Sequence, residues 1–296
     1  MSPFIPGLEL SRHFYWEAVR PSLDKLYPNL VHASALLGYG SEVLGFDDQM
    51  STDHNWYPMM LLFLKEEDAR LGEEIKEALR YHLPDEILGY PVNCEPDPND
   101  PGTFYMKQTR EKPINHSVFT LTVREFIQNY LGYDINDPLE VADWLTFPSQ
   151  KLLELTAGGV HYDGFGELTA IRQKLNYYPQ DVWLYLLVAA WQRISDLEGL
   201  MQRTGIAGDE LGSVNIAAQN IYNIMSLCFL IEKQYAPYPK WFGLAFKRLK
   251  CSSKLLPILH QVQTLPTWQD RETALCDAYK LIAQLHNSLG IKESTT

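Results

Sequence analysis

Positive charge is what this chain has least of. Its 296 residues carry 25 Lys and Arg against 37 Asp and Glu, for a net charge of −12 and a pI near 5.1. A nonspecific grip on a nucleic-acid backbone needs clustered cations, so that class of partner is excluded. Any nucleotide bound here needs a local device instead, such as a metal ion or a ring of backbone N–H groups. Cysteine is scarce as well: the four residues Cys94, Cys228, Cys251 and Cys276 show no C-x-x-C spacing and no cluster with histidine. That excludes a disulfide framework and a structural zinc, and the helical pattern around Cys228 and Cys276 reads them as small buried hydrophobes. The longest strongly apolar run is residues 182–191, ten residues closed by Asp181 and Gln192, where roughly 20 are needed to span a bilayer. Residues 1–7 lack the basic segment and apolar stretch of a secretory signal. The expectation is a reduced, cytoplasmic, soluble protein with no membrane partner. No G-x-x-x-x-G-K-[ST] loop, G-x-S-x-G elbow or H-E-x-x-H occurs, nor does an internal repeat or low-complexity tract.

What is present is an ordinary globular balance, 46% apolar and 21% charged, which disfavours disorder and coiled coil. Twelve Phe, 7 Trp and 17 Tyr stand beside 18 Pro, a mix suited to shaped clefts as well as to a core. At about 150 residues per domain the length predicts two domains or one large one. A first helix is predicted from Ser11 as N-cap to Pro21. Residues 33–38 and 56–64 read as strands, and residues 65–82, with Leu71, Ile75 and Leu79 among charges, as a surface helix. Residues 84–113 are proline-rich and polar and must be loop, either a hairpin tip or an active-site flap. A strand alternating Ile114, His116 and Val118 then meets a capping box, Thr122 to Glu125, that opens the next helix. From residue 137 the pattern is helical, with stripes through Trp183 to Met201, Val214 to Tyr235 and Leu275 to Leu289 that pack most simply as a bundle. The fold class is therefore α+β: a mixed α/β domain over 1–135 with a small mixed sheet, then an all-α helical-bundle domain over 136–296, with residues 293–296 as a frayed tail.

The chemistry-bearing stretch is Gly38-Tyr39-Gly40-Ser41-Glu42-Val43-Leu44-Gly45-Phe46-Asp47-Asp48, followed by Ser51, Asp53, His54 and Asn55. A strand ends in Gly-Ser, eleven residues intervene, and an acid-x-polar pair is predicted to enter the next strand. Alternation in a strand would put Asp53 and Asn55 on one face and His54, as a packed histidine, on the other. Two oxygen ligands opposite a glycine turn could hold a Mg²⁺–triphosphate. Gly40 lets backbone approach phosphate, and Ser41 offers a hydroxyl.

This pattern resembles the nucleotidyltransferase core of the DNA polymerase beta superfamily: Gly-Ser, a gap of about ten to twelve residues, then Asp-x-Asp or Asp-x-Glu. Together with Asp143-Trp144-Leu145 and Tyr235-Ala236-Pro237-Tyr238-Pro239-Lys240-Trp241, the chain is similar over roughly residues 10–250 to a bacterial family that joins such a core to a helical domain of unknown function. The resemblance implies a nucleotidyltransferase-like fold and Mg²⁺-dependent transfer of a nucleoside monophosphate from NTP to a hydroxyl or phosphate of an unidentified acceptor, with the helical domain closing over that acceptor. Active members hold two metal ions on two or three carboxylates. Here the second acid is replaced by Asn55 and the best-placed third residue is His116, so Asp53, Asn55 and His116 supply one negative charge where three are expected. Asp47 and Asp48 are near enough to act as further metal ligands, or equally to cap the turn. Lys240, beside Tyr238 and Trp241, is a candidate cation for a nucleotide phosphate, against a structural reading of its proline-bounded segment. His161 and Asp163 sit in a glycine-rich stretch that reads as a turn between helices. Helical domains of related antibiotic nucleotidyltransferases contribute a glutamate base, for which Glu154, Glu167, Glu198 and Glu210 are candidates. No His follows Arg193 or Arg203 at the spacing of a HEPN-type ribonuclease. Two functions remain ahead: the transferase, and a nucleotide-binding regulatory pseudoenzyme with a degraded metal site. An interaction protein using an aromatic helical face ranks behind them.

Overall fold

The computed structural model describes residues 4–291; the expected frayed tail at 293–296 lies outside them. The chain divides into two compact units, Met1–Asn176 and Tyr177–Thr296. The fold is α+β, with a small mixed sheet in the first unit and, among the described residues, only helices in the second.

The first unit opens with α1 (Gly7–Phe14), a π turn (Tyr15–Val19) and α2 (Arg20–Leu26). Pro21 does not stop the helix: it follows directly on the π turn, where the hydrogen-bond ladder is already shifted, Arg20 N–H donating to the Tyr15 carbonyl. Pro6, not Ser11, precedes the helix. Ser11 is buried within it and donates its hydroxyl to the Met59 carbonyl at 2.6 Å.

The sheet holds β1 (His32–Leu36) and β2 (Met59–Leu64). After α3 (Gly72–His82) come two small hairpins, β3 (Glu86–Ile87) with β4 (Tyr90–Pro91) and β5 (Cys94–Pro96) with β6 (Phe104–Met106), which answer the proline-rich stretch with a hairpin tip at 97–103. Next are β7 (Ser117–Thr122), α4 (Val123–Leu131), α5 (Val141–Thr146), α6 (Ser149–Thr156), β8 (Gly159–Asp163) and α7 (Glu167–Lys174). Thr122 and Glu125 form the expected capping box at the start of α4. The strand order is β7-β2-β1-β8, with β1 antiparallel to both neighbours and β2 parallel to β7.

All five residues of β1 are buried, as a central strand covered on both faces requires. On β2, Met60, Leu62 and Leu64 pack with Leu10, Phe14, Ile75 and Leu79, while Phe63 meets Phe126 edge-on at 5.5 Å on the other face.

The segment holding His161 and Asp163 is a strand, not a turn between helices. Ala33 pairs with Asp163 and Leu36 with Gly159. The first unit therefore runs to Asn176 rather than to residue 135, because β8 completes the sheet and α6 and α7 stay with it.

The second unit contains α8 (Gln180–Glu198), α9 (Leu200–Ile206), α10 (Glu210–Ile231), α11 (Pro239–Phe246), α12 (Ser252–Thr264) and α13 (Trp268–Asn287). The three expected stripes fall on α8, α10 and α13, except that Met201 lies on α9 and Tyr235 and Leu289 lie beyond the ends of α10 and α13. α10 packs against α8, α9, α12 and α13, burying Ala217, Ile224, Leu227 and Cys228. Cys276, read from the pattern as buried, is exposed on α13. Among the described residues α10 is the one helix long and apolar enough to cross a membrane by length and composition.

Candidate functional site

The chain leaves β1 through a turn built on glycine. Gly38 (φ 92°), Gly40 (φ 140°) and Gly45 (φ 65°) all adopt backbone conformations that L side chains disfavour. At Gly40 a Cβ would also collide with the Glu42 carboxylate. The turn is closed by Phe46 N–H donating to the Ser41 carbonyl (2.8 Å) and Gly45 N–H to the Glu42 carbonyl (3.2 Å). It is tied from behind by Gly38 N–H to the Glu154 carbonyl (3.2 Å) and Gly158 N–H to the Val43 carbonyl (2.9 Å). Gly158 is required at its place, because a Cβ there would strike the Leu36 carbonyl.

Glu42 is the central group of this turn. It is 5% exposed, and burial pushes its carboxyl up to about 7, helped by the neighbouring Asp47 charge and opposed by hydrogen bonds from its own N–H and from Ser41. Near neutral pH it therefore exists in both protonation states. Asp47 is spent on structure: its Oδ2 accepts Gly7 N–H at 2.6 Å and Trp56 Nε1–H at 3.1 Å. A carboxylate at the amino end of α1 also meets the positive end of the helix dipole.

Tyr57 is kept protonated first by burial, then by Cys94 and Glu42 nearby. The Ser117 hydroxyl donates to Cys94 Sγ at 3.6 Å, and burial pushes the Cys94 thiol up to about 11. On the Gly38 side the buried Glu154 accepts from Tyr130 Oη and from Gln150 Nε2 at 2.6 Å. Tyr39, 68% exposed, lies against Tyr130 with centroids 5.1 Å apart, an aromatic face open to solvent at the rim of the turn.

The remaining residues singled out from the sequence are dispersed. Asp53 ends a 3-10 turn, Gln49–Asp53, five residues short of β2, so Asp53 and Asn55 do not share a strand face. Asp53 instead pairs with His54 Nδ1 at 2.8 Å, both side chains more than half exposed, so His54 is not a packed core histidine. Asn55 is left-handed (φ 50°); its N–H donates to the Phe104 carbonyl and its Oδ1 accepts Phe104 N–H, each at 2.8 Å. The β5–β6 hairpin has consumed it.

Asp48 caps the 3-10 turn, accepting from Met50 and Ser51 N–H. His116 uses both nitrogens locally, donating from Nε2 to the Lys76 carbonyl (2.9 Å) and accepting Val118 N–H at Nδ1 (3.1 Å), with burial lowering its pKa. Its neighbour Ser117, not His116, is the β7 residue beside Tyr57. His161 Nε2 meets Ser11 Oγ at 2.9 Å, tying β8 to α1. Asp163 caps α7 through Gly166 and Thr169, opposite Ala33 near the start of β1, at the other end of the strand from the turn.

Of the four candidate glutamates, Glu154 alone touches the turn. Glu167 opens α7, its pKa raised by burial and by Glu66 and Asp163. Glu198 and Glu210 belong to the second unit, where Glu210 pairs with the buried Arg271. Lys240 also lies in that unit, on α11, with Nζ 4.7 Å from the Trp241 ring centroid. Among the described residues no group of three or more His, Cys, Asp or Glu could hold a metal ion. With Asp47, Asp48, Asn55 and His116 each committed to a backbone partner, the donor set does not fit a two-metal centre.

Sequence pattern does not mark Glu42 as a site residue, because the Gly-Ser motif is complete at Gly40 and Ser41 without it. The available signal was a lone acid followed directly by Val43-Leu44, which predicts a carboxylate carried into the interior.

The first unit is thus an α+β structure whose central strand ends in a glycine turn around a buried acid. A family model described as "Domain of unknown function (DUF4037)" matches residues 144–242. Among solved structures, the chain is similar to a nucleotidyltransferase-like protein from Exiguobacterium sibiricum 255-15, at 10% identity and a TM-score of 0.37, over 90% of this chain and 74% of that one. No curated protein matches the chain.

Proposed function

We propose that the chain binds a nucleoside triphosphate at the Gly38–Gly40–Ser41 turn and acts as a nucleotide-responsive protein of the nucleotidyltransferase-like type. The observation that supports this reading is the turn itself: three left-handed glycines bracket Ser41 at the end of the central strand, with the Tyr39 ring open beside it. Gly40 lets a phosphate approach the backbone, Ser41 turns its hydroxyl from a protonated Glu42 to the phosphate, and Tyr39 offers a face to the base. Glu42 sets the charge of the cradle: protonated it is neutral toward phosphate, and ionised it repels it. No step of this function runs through a metal ion.

A second reading keeps the transferase: Mg²⁺-dependent movement of a nucleoside monophosphate to a hydroxyl or phosphate acceptor. A carboxyl poised near neutrality beside Ser41 favours it, as a proton acceptor for an attacking hydroxyl. Calorimetry with ATP, GTP, CTP and UTP, with and without Mg²⁺, tests the binding shared by both. Labelled-NTP transfer, scored as pyrophosphate release with and without cell extract, then separates them. The first reading predicts binding without release; release that depends on extract and is abolished by Asp53→Asn establishes the second.

A further inference from the structure

The second unit contains a cavity of about 590 Å³ between α10, α11 and α12, a volume typical of small-molecule sites. Ile221 and Met225 of α10, Leu244 of α11, and Leu256 and Leu259 of α12 make its walls apolar. The room comes from small residues at the contact, Ala218 and Gly243. A Cβ at Gly243 would meet nothing within 4 Å. Glycine inside a helix weakens it, and no packing against the described residues calls for one here.

Charge gives the cavity a direction. In a chain with 37 acidic residues, none of the described ones lines it, whereas Lys240, Lys247 and His260 do. Lys240 and Lys247 are seven residues apart, two turns along one side of α11, about 10 Å from each other. An apolar trough with a cationic rim fits an amphipathic anion: the alkyl body is removed from water while the head stays paired and hydrated. A triphosphate has no apolar body to fill such a trough.

We propose that this cavity is a binding site for a fatty carboxylate, its alkyl chain lying between α10, α11 and α12 and its carboxylate meeting the Lys240 and Lys247 ammonium groups. The test is calorimetry on the full-length protein with octanoate, decanoate and dodecanoate below their micellar concentrations, and with dodecyltrimethylammonium as a cation of matched chain. Affinity for the carboxylates is expected to tighten about fourfold per added methylene until the trough is full, with the cation at least tenfold weaker than dodecanoate. Gly243→Leu, which fills the trough, and the double variant Lys240→Glu with Lys247→Glu, which reverses the rim, are each expected to weaken dodecanoate binding at least tenfold. Gly243→Ala places one methyl in open space and should keep the affinity, showing that a substituted α11 still folds. Absence of carboxylate binding, equal binding of the cation, or an unchanged affinity in Gly243→Leu would each overturn the proposal.

Discussion

At the scale of single residues, Glu42 is the carboxyl at the turn whose behaviour departs from its kind. Burial pushes it from the ordinary glutamate value of 4.5 up to about 7, so the folded protein holds a proton there that the unfolded chain releases. Stability from this group is fully present below pH 4.5, falls as pH rises toward 7, and is then constant. The span corresponds to a loss on the order of 3 kcal/mol. Glu42→Gln, neutral at every pH, should remove this slope: thermal melts at pH 5 and pH 8 should differ less for the variant than for the parent, and an equal difference in both would refute the placement of the charge. Gly40→Ala addresses the same contact from the other side. Its Cβ meets the Glu42 carboxylate in a left-handed backbone, and a cost of about 1–3 kcal/mol is expected, read as a lowered urea midpoint.

At the scale of elements, two neighbouring aspartates have unequal work. Asp47 holds the first N–H of α1 and the indole of Trp56, so Asp47→Ala loses a helix-end partner and orphans a buried donor. About 2 kcal/mol should be lost, with a change in tryptophan fluorescence from Trp56. Asp48→Ala unties only an exposed 3-10 turn and should cost about 0.5 kcal/mol; an equal loss in the two variants would contradict the assignment.

Elements with a local signature were legible in the sequence. Thr122 to Glu125 announced α4 because both halves of the capping box lie within four residues, and the stripes of α8, α10 and α13 needed only helical periodicity. What was not legible depended on distant partners. Gly159–Asp163 lies among helices in sequence and becomes a strand because β1 has an open edge for it. Asp53 and Asn55 looked like strand residues until the β5–β6 hairpin, some fifty residues on, captured Asn55. His116 looked like a site residue, yet it turns to the Lys76 carbonyl of α3. At the turn, Gly40 and Ser41 carry a local motif, whereas the place of Glu42 depends on its side chain folding against Gly40, which no local pattern encodes.

At the scale of the whole molecule, the two units Met1–Asn176 and Tyr177–Thr296 set what can be cut apart. A fragment ending at residue 135 lacks β8 and leaves β1 with an unpaired edge, so it should aggregate or stay unfolded, whereas residues 1–176 should melt cooperatively. Circular dichroism melts of the two fragments check this, and a folded 1–135 fragment would contradict it. In the proposed reading, the charge that governs nucleotide binding is the one at Glu42 and not the excess of acid across the chain. The most direct test of the central claim is calorimetry of ATP with the parent and with Glu42→Gln at pH 6 and pH 8. The parent should bind ATP about tenfold more tightly at pH 6 than a Glu42 ionised at pH 8 allows, and the variant should bind at both pH values without that change. No heat of binding from millimolar ATP, GTP, CTP or UTP at either pH, with or without Mg²⁺, would contradict it.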